Sequence, residues 1–246
     1  MNLKQYKPLI FVLGAGTLGF CLRLALYRTG FDDKNILSSS HPLHTACLIL
    51  TALAAVYLAA AVCKRQTAGT PVELFPDSPL RSIAALAAAC LMGGYALSLR
   101  HELSSLLEIA RMALALGSAV SMALCALPRM PRKGIYGGLL TFISIFFAAD
   151  MLCRYQGWSG NPQLPDYTLQ VAASVLLALC SYHRLAFCTG LGKGWAMGLC
   201  GLMGLYLCIV CAAGPETPGF YLGGAFWAFN CLCGIRPTEE EPDVPA

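Results

Sequence analysis

Hydrophobic positions along this chain fall in long unbroken blocks, each closed by a short polar or helix-breaking segment. A block of about 20 apolar residues is what an α-helix needs to cross the hydrocarbon of a bilayer. The first block runs from Pro8 to Arg28 and is closed by Gly30, Asp32, Asp33 and Lys34; the second runs from Pro42 to Cys63 and stops at Lys64 and Arg65. After a connector holding Gly69, Pro71, Glu73, Pro76 and Asp77, Ser78 and Pro79 supply an N-cap and a first-turn proline for a third helix to about Leu99. The fourth block follows the Arg100-His101-Glu102 turn and ends by Leu127, at a basic loop with Pro128 and Pro131. Ile135 to Tyr155, Tyr167 to Cys188 and Trp195 to Ala213 are the next three. An eighth, Phe220 to Gly234, is the shortest, at about 15 residues against the usual 20. The pattern predicts an all-α fold: a polytopic transmembrane helical bundle of about eight spans, with residues 1–235 as one integral membrane domain. Residues 236–246, carrying Glu239, Glu240, Glu241 and Asp243 among prolines, read as an acidic disordered tail.

A competing reading exists for the first block. Gly14, Gly16 and Gly19 in GAGTLG have the spacing of a dinucleotide-binding turn, and Leu9 to Leu13 before them could be a strand. That turn requires a second strand ending in an acidic residue about 20 positions on, within a repeating strand and helix pattern. No strand leads into Asp32 and Asp33, and long apolar helices follow. The glycines instead make a thin helix face, with Ala15 and Gly19 as a small-xxx-small pair.

Composition agrees with a lipid solvent. The 246 residues are 57% hydrophobic and 12% charged, with a mean hydropathy of +0.62, whereas soluble domains carry about 25% charge. The net charge of +4 is scattered between apolar blocks, so no nucleic-acid partner is expected. The thirteen cysteines lie mostly inside those blocks, as at Cys21, Cys47, Cys90, Cys125, Cys180 and Cys200, where a thiol acts as a small hydrophobe. Eight spans place both termini on one side, and the larger share of Lys and Arg falls on the side of the termini, so the positive-inside rule makes them cytoplasmic. Tyr155, Trp158 and Tyr167 then sit at the outer interface, which suits amphipathic rings. The third helix, rich in Ala84, Ala85, Ala87, Ala88, Ala89, Gly93 and Gly94, is expected inside the bundle.

Two stretches, LRLALYRTGFDDKNILSSSHP from Leu22 to Pro42 and RYQGWSGNPQLPDYTLQ from Arg154 to Gln170, resemble uncharacterised multi-pass membrane proteins of Clostridia-type Gram-positive bacteria. SYHRLAF, Ser181 to Phe187, and Ala225-Phe226-Trp227 continue the likeness over most of the chain. The resemblance implies a bacterial plasma membrane and an all-helical fold, and brings no activity or functional residue with it.

Charge within a span costs about 2.5 to 3.5 kcal/mol at the helix centre, so each instance invites a reason. Arg23, Glu108, Arg111, Asp150 and Arg154 come from three spans and, by topology, share the outer half; Glu108 and Arg111 are three apart and Asp150 and Arg154 four apart, so each pair can meet on one helix face. Together they suggest an outward-facing polar vestibule, roofed by the Trp158 to Tyr167 loop, that accepts a small charged or polar solute. The plainer alternative is that each side chain snorkels or pairs on its own helix.

Cys208 and Cys211 form a C-x-x-C near the outer end of the seventh span, the place where a membrane thiol-redox enzyme would keep its pair, although no basic residue is near in sequence. Cys231 and Cys233 read as filler, Arg184 as a topology marker and His183 as packing; His41 and His44 supply too few ligands for a metal. No catalytic set, metal site or cofactor is expected. Three classes remain: a non-enzymatic membrane component working through a membrane protein partner or a second copy of itself, a small-solute transporter or binding protein, and a thiol-redox enzyme.

Overall fold

A computed structural model of the chain describes residues 3–30, 41–63, 78–102, 106–127, 133–158, 167–215 and 217–233. These form eight α-helices and no strand: α1 (Leu3–Thr29), α2 (Pro42–Cys63), α3 (Pro79–Ser98, extended by a 3-10 turn Leu99–Glu102), α4 (Leu106–Leu124), α5 (Lys133–Trp158), α6 (Thr168–Cys188), α7 (Gly194–Cys211) and α8 (Pro218–Cys233). The helical bundle read from the sequence is therefore the fold, and every block became a helix. The tail from 236 onward and the 159–166 segment lie outside the described residues.

The first helix runs through Gly14, Gly16 and Gly19 without a break, which removes the nucleotide-binding turn. Two of its glycines do close-packing work instead. A Cβ on Gly19 would stand 2.7 Å from a methyl of Val210, and one on Gly16 3.3 Å from Ile209, so α1 lies on α7 at a separation only glycine allows.

Seven of these helices, α1 to α7, are long and apolar enough to cross a bilayer. The distribution of side chains says the same. Ile83, Leu53 and Val56 are more than 60% exposed, while Arg23, Arg81, Asp150, Arg154 and Arg184 are buried. Water would drive the opposite arrangement; lipid allows it, since apolar side chains lose nothing facing acyl chains and charges must find partners inside.

Successive helices from α3 to α7 pack side by side, α8 fits between α3 and α7, and α1 and α2 lie together against α7. The expectation that α3 sits inside the bundle needs correcting. Its alanines face α8 and α4, but Leu80, Ile83, Leu86 and Leu97 are exposed and Gly94 meets nothing. The interior belongs to α7, buried almost throughout, and to α8. Small residues let α7 be surrounded: added Cβ atoms at Gly198, Gly201 and Gly204 would touch Val62 of α2, Leu232 of α8 and Leu176 of α6. Being short does not keep α8 from running the length of its neighbour. Phe220 in its first turn meets Tyr95 near the end of α3 at 5.2 Å between ring centroids, and Asn230 in its last turn donates to the carbonyl of Arg81 near the start of α3 at 2.7 Å. The two helices are antiparallel, with 16 residues of α8 spanning about 24 Å at 1.5 Å per residue.

Candidate functional site

Near the N-terminus of α8 the bundle closes around one carboxylate. Asp150 of α5 is 0% exposed and takes three hydrogen bonds: Oδ1 accepts from Tyr95 Oη of α3 at 2.6 Å and from Arg111 Nε of α4 at 2.7 Å, and Oδ2 accepts from Arg154 Nε one turn along α5 at 2.6 Å. Arg111 Nη2 also donates to Tyr95 Oη at 2.6 Å, so the phenol accepts from one partner and donates to the next. Arg154 Nη1 donates to Thr217 Oγ1, immediately before α8, at 2.7 Å. The guanidinium of Arg154 lies 4.2 Å over the Phe220 ring and within 6 Å of the Tyr95 and Tyr221 rings. Tyr221 in turn donates to Gln170 Oε1 of α6 at 3.2 Å. Five helices and the residue before α8 thus contribute to one polar layer.

Local sequence puts these groups there by phase. Tyr136, Leu140, Ile143, Phe147, Asp150 and Arg154 are all buried and step by four, three, four, three and four, which keeps them on the inward stripe of α5. Arg81, Ala85, Ala88, Met92, Tyr95 and Leu99 do the same on α3, so Tyr95 follows from the stripe that carries the alanines.

Of the five residues singled out from the sequence, Arg111, Asp150 and Arg154 meet. Glu108 lies at the same end of α4 and is half-buried, and Arg111 reaches across to Asp150 and Tyr95 on other helices. Arg23 is 4% exposed and faces α7: its Nη2 donates to Tyr27 Oη at 3.1 Å and its Nη1 points to Cys211 Sγ at 3.8 Å. Snorkelling to a headgroup is thereby excluded for Arg23, Asp150 and Arg154, since their side chains end inside the protein. The cluster is also more enclosed than an open vestibule, with Arg111 its most accessible member; its expected roof falls on residues not described.

The C-x-x-C needs a correction. Cys208 and Cys211 are fully buried, and a basic residue does approach: Arg23, 188 positions away in sequence, reaches Cys211. Cys231, read as filler, accepts from Arg184 Nη1 at 3.4 Å. Arg184 itself is 0% exposed rather than a boundary marker; it also donates to Asn230 Oδ1 and is stacked by Trp227 and Tyr136 at 5.0 and 5.7 Å. With Asn230 bonded to the Arg81 carbonyl, this makes a second polar layer at the opposite end of α8. Its sequence signal was the stripe Ala173, Leu177, Cys180, Arg184 and Phe187, spaced four, three, four and three, all buried.

The arrangement near Asp150 can bind and orient charge. Two guanidiniums face one carboxylate, so Arg111, Asp150 and Arg154 together carry a net charge of +1 in a place shielded from water. Guanidinium, phenol and hydroxyl groups suit a polar or anionic solute better than a metal cation. No protein-family model, curated protein or solved structure matches the chain.

Proposed function

We propose that this integral membrane protein is a small-solute transporter or solute-binding protein of the bacterial plasma membrane, with both termini cytoplasmic and the Asp150 cluster as its solute site at the outer end. One observation carries the reading: Asp150, wholly buried, joins α3, α4 and α5 through charged hydrogen bonds. Burying such a triad is not an efficient way to hold helices together, because apolar residues of similar volume do it as well or better. Ionisable groups inside a membrane protein generally mark a solute or ion pathway. Arg154 extends the site to the start of the most enclosed short helix, α8, through Thr217.

Among the described residues the site offers no nucleophile and base pair, which favours binding over chemistry. The alternative of a component acting only through a membrane protein partner or a second copy leaves the buried cluster without a use, and the thiol-redox alternative must bring an oxidant to thiols wholly enclosed by protein.

The test is a thermal-protection screen of the detergent-purified protein against small carboxylates, phosphates, amines and amino acids. Saturable protection by at least one class, lost in Arg111→Gln, supports the reading. Protection by none, or protection unchanged in that variant, overturns it.

A further inference from the structure

The hydrogen inventory of Arg154 leaves something over. Nε is bound to Asp150 and Nη1 to Thr217, while Nη2 is inaccessible to solvent and has no hydrogen-bond acceptor among the described residues. The residue is 6% exposed. An unmet donor on a buried cation is costly, and buried polar groups are in the great majority of cases hydrogen-bonded.

The same guanidinium is aimed at a helix N-terminus. It bonds Thr217, which immediately precedes Pro218 at the start of α8, and lies against Phe220 in the first turn. The first amide N–H groups of a helix have no intrahelical acceptor, and the helix dipole adds positive potential there; in α8 Pro218 has no N–H and the Tyr221 N–H bonds the Thr217 carbonyl, so the amides that face outward there are those of Gly219 and Phe220. Helix N-termini facing a cavity are a recurrent means of holding anionic groups in transporters.

Charge sets the valence. Arg111 and Arg154 against Asp150 leave +1, so one negative charge brings the site to neutrality in a medium that penalises any residue of charge. A dianion would leave −1 and a cation would leave +2. Tyr95, Phe220 and Tyr221 pack their rings around the Arg154 guanidinium, so its free Nη2 donor lies in a water-shielded place where a charge-assisted hydrogen bond is strong.

We infer that the site binds a singly charged oxyanion, a carboxylate or a monoanionic phosphate group, between Nη2 of Arg154 and the N-terminus of α8. This rests on the solute-site reading above and gives that solute its chemical class. The oxyanion can come from a free solute or from a phospholipid headgroup.

Thermal unfolding of the purified protein in neutral detergent tests this with acetate, benzoate, dihydrogen phosphate and sulfate, against choline and ethanolamine, at constant sodium chloride. The singly charged anions should protect saturably and sulfate more weakly. Arg154→Gln should weaken them at least about tenfold, the loss of one charge-assisted hydrogen bond, while Arg28→Gln, at an exposed position on the same end of α1, should not. Should Arg154→Gln fail to fold, Thr217→Val keeps every charge while releasing Arg154 from the start of α8, so the two halves of the site are no longer held together and acetate should bind more weakly. Protein in phosphatidylcholine nanodiscs with and without phosphatidylglycerol separates the sources: competition between phosphatidylglycerol and acetate assigns the headgroup, and acetate binding indifferent to it assigns a free solute. Protection by choline or ethanolamine and by no anion, or anion protection intact in Arg154→Gln and Thr217→Val, overturns the inference while leaving a solute site standing. Protection by no compound of either charge removes the solute reading itself.

Discussion

Substituting Asp150 separates a structural staple from a functional site. Asp150→Asn keeps the shape of the side chain and an acceptor for Tyr95 and Arg111, but turns an amide N–H toward Arg154 Nε and removes the one negative charge between two buried guanidiniums. Breaking one side of a buried ion pair costs about 3–5 kcal/mol, because the partner stays buried and uncompensated. Arg154→Met should cost a similar amount, and the double variant should fall short of the sum by about 0.5–3 kcal/mol, the usual coupling for residues in one network. Replacing the whole cluster with Tyr95→Phe, Arg111→Met, Asp150→Leu and Arg154→Met removes every unmatched charge at once, and should be neutral or more stable by about 1–4 kcal/mol. Unfolding in mixed micelles can be followed with a thiol-reactive dye, since Cys47, Cys125, Cys180, Cys200, Cys208, Cys211 and Cys231 are buried and become reactive together. A loss under about 1 kcal/mol for Asp150→Asn would contradict the buried geometry. A fourfold variant as unstable as Asp150→Asn would show that the network exists to hold the helices, and the argument for a solute site would go with it.

Other substitutions probe the rest of the bundle. Gly19→Leu should cost about 1–3 kcal/mol by forcing α1 off Val210, whereas Gly14→Ala, which meets nothing within 4 Å, should be neutral or stabilising by up to about 1 kcal/mol through helix propensity; equilibrium unfolding of the two measures the contrast. Asn230→Leu should lose about 1–3 kcal/mol by the same assay, because Arg184 loses its amide acceptor and the Arg81 carbonyl its donor. Val56→Asp, on the exposed face of α2, should reduce membrane insertion by about 2.5–3.5 kcal/mol in a glycosylation-reporter assay; unimpaired insertion would argue that this face does not meet lipid. N-ethylmaleimide on the folded protein should modify Cys21 and Cys90 well before Cys208 or Cys211, read by mass spectrometry.

The lipid environment and the helices themselves were legible in the order of residues. Twenty or so apolar residues between polar breaks leave the backbone no choice in a bilayer but to bond within its own segment, so block boundaries translate into helix boundaries without knowledge of neighbours. The pairing of Asp150 with Arg154 was legible too, because residues four apart share a helix face whatever surrounds them. Which face of each helix turns inward was not. A lipid-facing leucine and a core leucine look alike, since acyl chains are as apolar as the interior, and the contrast that marks a buried face in water is missing. That is why α3, with all its alanine, seemed a better centre than α7, and why Arg184 passed for a boundary residue. The three-and-four spacing of buried positions could have placed Arg23, Arg81, Asp150 and Arg184 on inward stripes, yet it could not have supplied their partners. Tyr95 is 55 positions from Asp150, and Cys211 188 from Arg23. Only the packing of the helices on one another, α1 on α7 at Gly16 and Gly19 and α3, α4 and α5 around Asp150, brings such distant groups together, and with them the charge balance on which the site depends.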